Sequence, residues 1–208
     1  DGKSYPLGDL LFEIGGLRVG FEICEDAWVP GRPGPELAAQ GVDIILNPSA
    51  SHFAFGKHEV RKQIVIDASR TFGATYVYTN LIGNEAGRVI YDGEALIASA
   101  GKLVSEGPRF GFDDFYITSA VIDIDHVRMS HSRTAFTPAV DDSMRAVVRA
   151  EVALPFVPYT APPPSHATVW PDLHFEKQEE FTRAVALGLF DYLRKSKSHG
   201  YVVSLSGG

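Results

Sequence analysis

The residue with the clearest chemical potential in this chain is its single cysteine, Cys24. It follows an apolar run from Leu17 to Ile23 and lies between two glutamates, Glu22 and Glu25, in the segment FEICEDAW. A thiolate at the end of a strand can attack a carbonyl carbon and form a covalent intermediate. An isolated cysteine, however, is more often a small buried hydrophobe. The elements around Cys24 must therefore decide between a nucleophile and a core residue.

Polar residues also follow the next two predicted strands. Asn47 to Ser51 comes after the run Val42 to Leu46, and Asn80 comes after Thr75 to Thr79. In an α/β fold, ligands bind at the carboxyl ends of the parallel strands. We therefore expect these segments to meet Cys24 in one site, although Asn80 taken alone is also typical of an ordinary polar loop.

Strands and helices alternate along the first part of the chain, which predicts an α/β layered fold. The pair Gly15-Gly16 suits a hairpin turn between the first two strands. From Lys57 to Phe72 apolar residues recur every four positions, which predicts a helix with one buried face, ended by Gly73. The predicted face is Val60, Ile64, Ala68 and Phe72. The other predicted elements are strands at 10–14, 17–23, 42–46, 75–79, 94–98 and 117–123 and a short helix at 36–40.

The composition changes after residue 135. Frequent prolines predict an extended linker at 136–173. The spacing of Phe181, Val185, Leu189 and Leu193 then predicts a helix over 175–197, and a strand over 201–205 leads into Ser-Gly-Gly. A helix, a strand and a glycine turn are typical of the start of a second domain, at 174–208. Because the chain opens at an aspartate and stops at this turn, we interpret it as a piece of a longer protein.

Composition excludes several classes of protein. A net charge of -7 argues against a nucleic-acid partner. No apolar stretch is long enough to cross a membrane, and one cysteine cannot form an internal disulfide, so a cytoplasmic location is expected. The histidine pairs His52/His58 and His126/His131 lack the spacing of a zinc site, so no metal site is predicted.

Three segments resemble known families. GFEICEDAW resembles the nucleophile segment of the nitrilase, or carbon-nitrogen hydrolase, superfamily. LNPSASHFAFGKHEVRK resembles the glutamine-binding loop of the glutaminase domain in glutamine-dependent NAD synthetases. The carboxyl-terminal FEKQEEFTRAVALGLFDYLRKSKSHGYVVSLSGG is similar to the entry of their synthetase domain. The resemblance implies the carboxyl-terminal part of a nitrilase-type α-β-β-α sandwich at 1–135, followed by the start of a Rossmann-like ATP-pyrophosphatase domain.

The resemblance also implies roles for individual residues. Cys24 is then the nucleophile that attacks the side-chain amide of glutamine, and the backbone N–H of Glu25 helps to hold the oxyanion. Trp28 walls the pocket, while Ser51 and Lys57 bind the α-carboxylate end of the substrate. The residues implied for ATP binding begin a phosphate loop and are Ser204, Leu205, Ser206, Gly207 and Gly208.

In this family glutamine supplies ammonia for the amidation of deamido-NAD to NAD, driven by ATP with Mg²⁺. The expected partners are therefore glutamine, ATP and deamido-NAD, and a homo-oligomer is expected for the full-length protein. No cofactor is expected in the glutaminase part.

The superfamily's general-base glutamate and its lysine lie tens of residues before the nucleophile. Only 23 residues precede Cys24, and neither Lys3 nor Glu13 has the family context, so this chain alone is expected to be inactive. Two alternatives remain open: a stand-alone nitrilase-type amidase and a non-catalytic assembly module.

Overall fold

A computed structural model describes residues 2, 4, 6–85, 87–133, 146–153 and 176–206. The described strands are β1 (Leu10–Ile14), β2 (Leu17–Phe21), β3 (Ile44–Ser49), β4 (Thr75–Asn80), β5 (Ile82–Glu85), β6 (Val89–Asp92), β7 (Ala95–Ser99), β8 (Lys102–Glu106) and β9 (Ala146–Ala150). The described helices are α1 (Gly34–Ala39), α2 (Lys57–Thr71), α3 (Ile124–Ser132), α4 (Glu176–Ser196) and a 3-10 helix at Cys24–Trp28.

Within the described residues, seven strands form one mixed sheet in the order β8-β7-β4-β3-β2-β1-β9, and β5 pairs with β6 as a separate ribbon. The first two strands are antiparallel across the turn at Gly15-Gly16, which confirms the predicted hairpin. The neighbours β2, β3 and β4 are parallel. Their carboxyl ends therefore share one edge of the sheet, and this edge carries the segments that begin at Cys24, Ala50 and Leu81. The predicted α/β fold is confirmed.

Helix α2 covers the sheet, and two residues of its predicted face, Ala68 and Phe72, are buried. In the first half of the helix the buried face is shifted by one residue from the predicted one. Its buried residues are Arg61, Val65, Ala68 and Ser69, whereas Val60 is 47% exposed. The shift has an electrostatic cause: Arg61 points inward because its guanidinium forms ion pairs with the buried carboxylates of Asp92 and Glu94. A prediction from hydrophobic periodicity assigns an arginine to the exposed face of a helix, so it could not place Arg61 on the buried face of α2.

Helix α4 packs against the β5–β6 ribbon, and the apolar stripe predicted for it is wrong. The helix buries Glu180, Ala184, Leu187, Gly188 and Asp191. Three residues of the predicted stripe are among the exposed ones, Phe181, Val185 and Leu189. The two buried carboxylates set the register, because Asp191 accepts a hydrogen bond from the Asn84 N–H at 2.6 Å and Glu180 accepts one from Arg109 at 2.7 Å.

Two predicted strands are absent from the described structure. Residues 117–123 form no ladder and instead lead into α3, where the Asp123 carboxylate caps the helix by accepting from the His126 N–H at 3.0 Å. Residues 201–205 are irregular, with Val202 and Leu205 almost fully exposed, since no described strand pairs with them. The linker predicted at 136–173 lies mainly outside the described residues, but within it residues 146–150 form β9, which pairs with β1, so this part is not an extended linker. The division into domains stays a prediction. None of the described helices is long and apolar enough to cross a bilayer.

Candidate active site

Cys24 occupies a sharp backbone elbow at the end of β2. Its φ of 50° lies in the left-handed region that residues with a Cβ rarely adopt. The 3-10 helix that starts there is closed by two local hydrogen bonds: the Asp26 carboxylate accepts from the Ile23 N–H at 2.6 Å, and the Asp26 N–H donates to the Ile23 carbonyl at 3.0 Å. The first N–H groups of a helix have no partner within it, so that of Glu25, the second residue of this helix and the neighbour of Cys24 in sequence, is a potential donor.

A buried glutamate holds the strand that leads into this elbow. Glu22 is fully buried and accepts hydrogen bonds from the Tyr76 hydroxyl at 2.6 Å, Arg32 Nε at 2.9 Å and the Gly34 N–H at 2.7 Å. Burial, together with the adjacent Glu22 charge, raises the pKa of Tyr76 far above its ordinary value. Burial lowers the Arg32 pKa, but the hydrogen bond and the charge of Glu22, together with the contacts to Tyr76, outweigh burial, and the pKa is raised. Tyr76 and Arg32 therefore stay in the forms that donate to Glu22.

Ser51 lies beyond the end of β3 on a loop held by its neighbour β4. The Asn80 side chain accepts from the Ser51 N–H at 2.8 Å and donates to the Ser51 carbonyl at 3.0 Å. This paired contact fixes the Ser51 peptide, and the residue itself is only 6% exposed. Asn80 is thus a supporting residue of the site rather than an ordinary loop residue.

Lys57 is the first residue of α2, and its ammonium group lies near Trp28. Its Nζ donates to the His52 carbonyl at 3.0 Å and lies 5.6 Å from the centre of the Trp28 ring. Burial and the neighbouring Arg61 cation lower the Lys57 pKa, while the charges of Asp92 and Cys24 oppose the shift. The cation and the thiol are therefore close enough to interact electrostatically, and the structure brings Lys57, Trp28 and Cys24 together.

The Cys24 charge also acts on Tyr91 of β6. Its hydroxyl donates to Glu85 at 2.5 Å, and this hydrogen bond, then burial and the charges of Glu85 and Cys24, raise the Tyr91 pKa. Sequence reasoning missed this residue, since it belongs to a short ribbon that no hydrophobic pattern predicts. In the described part of the chain, no carboxylate is hydrogen-bonded to the Cys24 thiol.

A second charged cluster lies beside the site and was also missed. One ligand-type atom each from His58, Glu94 and Glu106 lies within 4.8 Å of the others. The carboxylates are already paired with cations, Glu94 with Arg61 at 3.3 Å and Glu106 with Lys62 at 2.9 Å. Histidine spacing alone could not reveal the cluster, because its other members are glutamates.

Of the residues predicted to bind ATP, the structure describes three. Ser204, Leu205 and Ser206 are exposed in an irregular segment, and Gly207 and Gly208 are outside the described residues.

The family follows from comparison of the whole chain with known proteins. The model of the carbon-nitrogen hydrolase family matches residues 3–130, which include the elbow, the Ser51 loop and Lys57. This chain belongs to the carbon-nitrogen hydrolase family. Its sequence is 33% identical over 210 residues to the glutamine-dependent NAD(+) synthetase of Mus musculus, covering 99% of this chain and 28% of that protein.

Solved structures agree with this relationship. A glutamine-dependent NAD(+) synthetase from Cytophaga hutchinsonii is 38% identical, with a TM-score of 0.64 over 98% of this chain and 25% of the other. The enzyme from Acinetobacter baumannii, solved with adenosine diphosphate, shares the fold at 23% identity with a TM-score of 0.60, covering 93% of this chain and 29% of that protein. The chain is thus a carbon-nitrogen hydrolase domain related to the glutamine-dependent NAD synthetases, and it spans under a third of the length of these relatives.

Proposed function

We propose that this chain supplies the glutamine-hydrolysing site of a glutamine-dependent NAD synthetase. One observation carries the proposal: Cys24 sits in a left-handed elbow, its charge acts on the Lys57 cation, and that cation lies 5.6 Å from the centre of the Trp28 ring. A nucleophile, a cation and an aromatic ring close to one another suit an amino-acid substrate that has an amide at one end and a carboxylate at the other.

The proposed reaction begins when the Cys24 sulfur, as thiolate, attacks the side-chain carbonyl carbon of glutamine. The C=O electron pair moves to oxygen, and the Glu25 N–H stabilises the resulting oxyanion. As the carbonyl re-forms, the C–N bond breaks and the nitrogen leaves as ammonia after taking up one proton. Water then attacks the thioester, releases glutamate and restores the thiol.

In this proposal Ser51 and Lys57 bind the carboxylate end of glutamine. A hydroxyl and an ammonium both donate to a carboxylate, and such charge-assisted hydrogen bonds are the strong kind. Both groups sit on backbone that is already fixed, Ser51 by Asn80 and Lys57 by the start of α2. Glutamine therefore meets a preformed site, which lowers the entropy lost on binding.

The base that takes the thiol proton is proposed to come from the family's glutamate, which precedes the nucleophile by tens of residues, together with the family's lysine. A free thiol has a pKa near 8.5 and is mostly protonated at neutral pH. We therefore expect these 208 residues alone to release no ammonia from glutamine above a Cys24→Ala blank. Turnover above that blank would show that a base lies within the chain.

The remainder of the proposal concerns the larger reaction. Ser204 to Gly208 would open the phosphate loop of an ATP-pyrophosphatase domain, where ATP activates deamido-NAD for attack by ammonia. Residues 199–206 contain no carboxylate to hold Mg²⁺, so no step is assigned to the metal here. A cytoplasmic homo-oligomer is proposed for the full-length protein.

A stand-alone amidase is the main alternative, and substrate protection of Cys24 distinguishes it. Iodoacetamide labelling of this chain, followed by mass spectrometry, reports access to its single thiol. We expect glutamine to slow labelling, asparagine and acetamide to have little effect, and Ser51→Ala to abolish the protection. Equal protection by simple amides would favour the amidase, and no protection by glutamine would contradict the proposed substrate.

A further inference from the structure

A chain of buried ion pairs leads from the Ser51 loop to helix α4. Arg61 donates to the Ser51 carbonyl at 3.0 Å and the His52 carbonyl at 3.3 Å, and its other terminal nitrogen contacts both Asp92 oxygens at 2.9 Å. Asp92 in turn accepts from Arg109 Nε at 3.1 Å. Arg109 then donates to Glu180 of α4 at 2.7 Å.

Burial makes this series of ion pairs rigid. Arg61 and Asp92 are each 1% exposed, Glu180 is 4% exposed and Arg109 is 5% exposed. Charges at such depth are held by their partners, and removing one leaves another uncompensated in a medium of low polarity. A change at one end of this series of ion pairs therefore shifts the charged side chains next to it.

Asp92 controls the Ser51 peptide by two routes. One passes through Arg61 to the Ser51 carbonyl. The other passes through Asn80, whose side-chain nitrogen lies 3.4 Å from Asp92 and 3.0 Å from the same carbonyl. The orientation of this peptide sets the direction of the Ser51 side chain, and the His52 carbonyl that Arg61 also holds is the acceptor for Lys57.

We propose that Glu180 is a remote positioning residue for glutamine binding, acting through Arg109, Asp92 and Arg61 on the Ser51 loop. The inference rests on the proposed function of that loop. It gives α4 a second role beyond packing: the helix that follows the proline-rich region fixes how tightly the site holds its substrate. Glu180 touches no substrate and changes KM for glutamine through the groups that do.

The test compares Glu180→Gln with two control variants of α4 in the full-length protein that contains this chain. Glu179→Gln removes the neighbouring carboxylate, which is paired with Arg183 at the surface. Asp191→Asn weakens the attachment of α4 to the β5–β6 ribbon without touching the ion-pair chain. For Glu180→Gln we expect KM for glutamine to rise by about 2- to 30-fold with kcat nearly unchanged, the range for coupling through packed networks.

Both controls should keep the KM of the unmodified protein. A KM for Glu180→Gln equal to that of Glu179→Gln would overturn the proposal, as would an equal rise in Asp191→Asn, which would reduce the effect to loss of helix packing. If Glu180→Gln does not fold, Glu180→Asp carries the same test, with a smaller rise expected because the charge remains. Absence of glutamine hydrolysis in the unmodified protein would instead contradict the proposed function, so the two failures are distinguishable.

Discussion

The two edges of the seven-stranded sheet differ in what they offer a ligand. The edge at the amino ends of β3 and β4 borders a cleft of about 970 Å³, lined in part by Asp43, Arg128 and the Gly15-Gly16 turn. Its charges are satisfied by each other, since Arg128 contacts Asp43 at 2.8 Å and Arg149 contacts Glu13 at 2.8 Å. The opposite edge has the Cys24 elbow beside a cation. The large cleft is therefore not at the proposed active site, which is marked instead by the left-handed backbone at Cys24.

Apart from Asp43, which is buried at the cleft edge, the two edges also differ in how deeply their ion pairs are buried. At the proposed active edge, Glu22 and Asp92 are at most 1% exposed and position backbone groups through their partners. At the other edge, the side chains of Arg149 and Glu13 are 71% and 26% exposed, where solvent and salt screen the interaction. Substitutions at the first edge should therefore affect both stability and glutamine binding, and those at the second should have smaller effects.

The largest expected effect on stability is that of Glu22→Gln. The substitution keeps the shape of the fully buried side chain but leaves Arg32, whose side chain is 16% exposed, without its counter-charge, so the free energy of unfolding should fall by about 3 kcal/mol. Glu13→Gln is the matched variant at the opposite edge and should cause a much smaller loss. Urea unfolding of the two variants checks the difference, and equal losses would contradict a special role for Glu22.

The next largest effect is expected on the binding of glutamine. Ser51→Ala and Lys57→Ala should each raise KM for glutamine by about 10-fold, the loss of one hydrogen bond to a charged group, with kcat little changed. Steady-state ammonia release by the full-length protein measures this. Lys102→Ala, which removes an exposed lysine from β8, is the control. A fall in kcat at constant KM would place Ser51 or Lys57 in the chemical step instead.

The pH dependence of glutamine binding should report Lys57. Burial and Arg61 lower its pKa below the ordinary 10.5, so the ammonium, present at lower pH, is lost as the pH rises through that shifted value. KM for glutamine should therefore rise at alkaline pH. Lys57→Arg stays charged throughout and should move this rise to higher pH. The amino group of glutamine titrates equally in both proteins, and identical profiles would exclude Lys57 as the group responsible.

The smallest effect is expected at the cleft edge. Asp43→Asn weakens the contact with Arg128, which is half-exposed, and should lower the free energy of unfolding by about 1 kcal/mol. KM for glutamine should not change, because the cleft lies at the far edge of the sheet. A rise comparable with that of Ser51→Ala would show that the two edges are not independent.

Sequence patterns predicted the elements that a hydrophobic period can reveal. The hairpin, α2 and the parallel strands β3 and β4 could be predicted because their apolar residues alternate or recur, and the parallel pairing of β2 with β3 puts the segments that begin at Cys24 and Ala50 at the same end of the sheet. The patterns failed where charge sets the register. Arg61 turns inward on α2 and Glu180 on α4, and each is stabilised by a partner distant in sequence. The short ribbon that carries Tyr91 and Asp92 has too few residues for any period.

The central claim, that Cys24 serves only to release ammonia from glutamine, is tested most directly by Cys24→Ala in the full-length protein. NAD synthesis is measured with glutamine and, separately, with added ammonium as nitrogen source. The account predicts that glutamine-driven synthesis is abolished while ammonium-driven synthesis is retained, because the thiol acts before the amidation step. Loss of both activities, or retention of glutamine-driven synthesis, would contradict it.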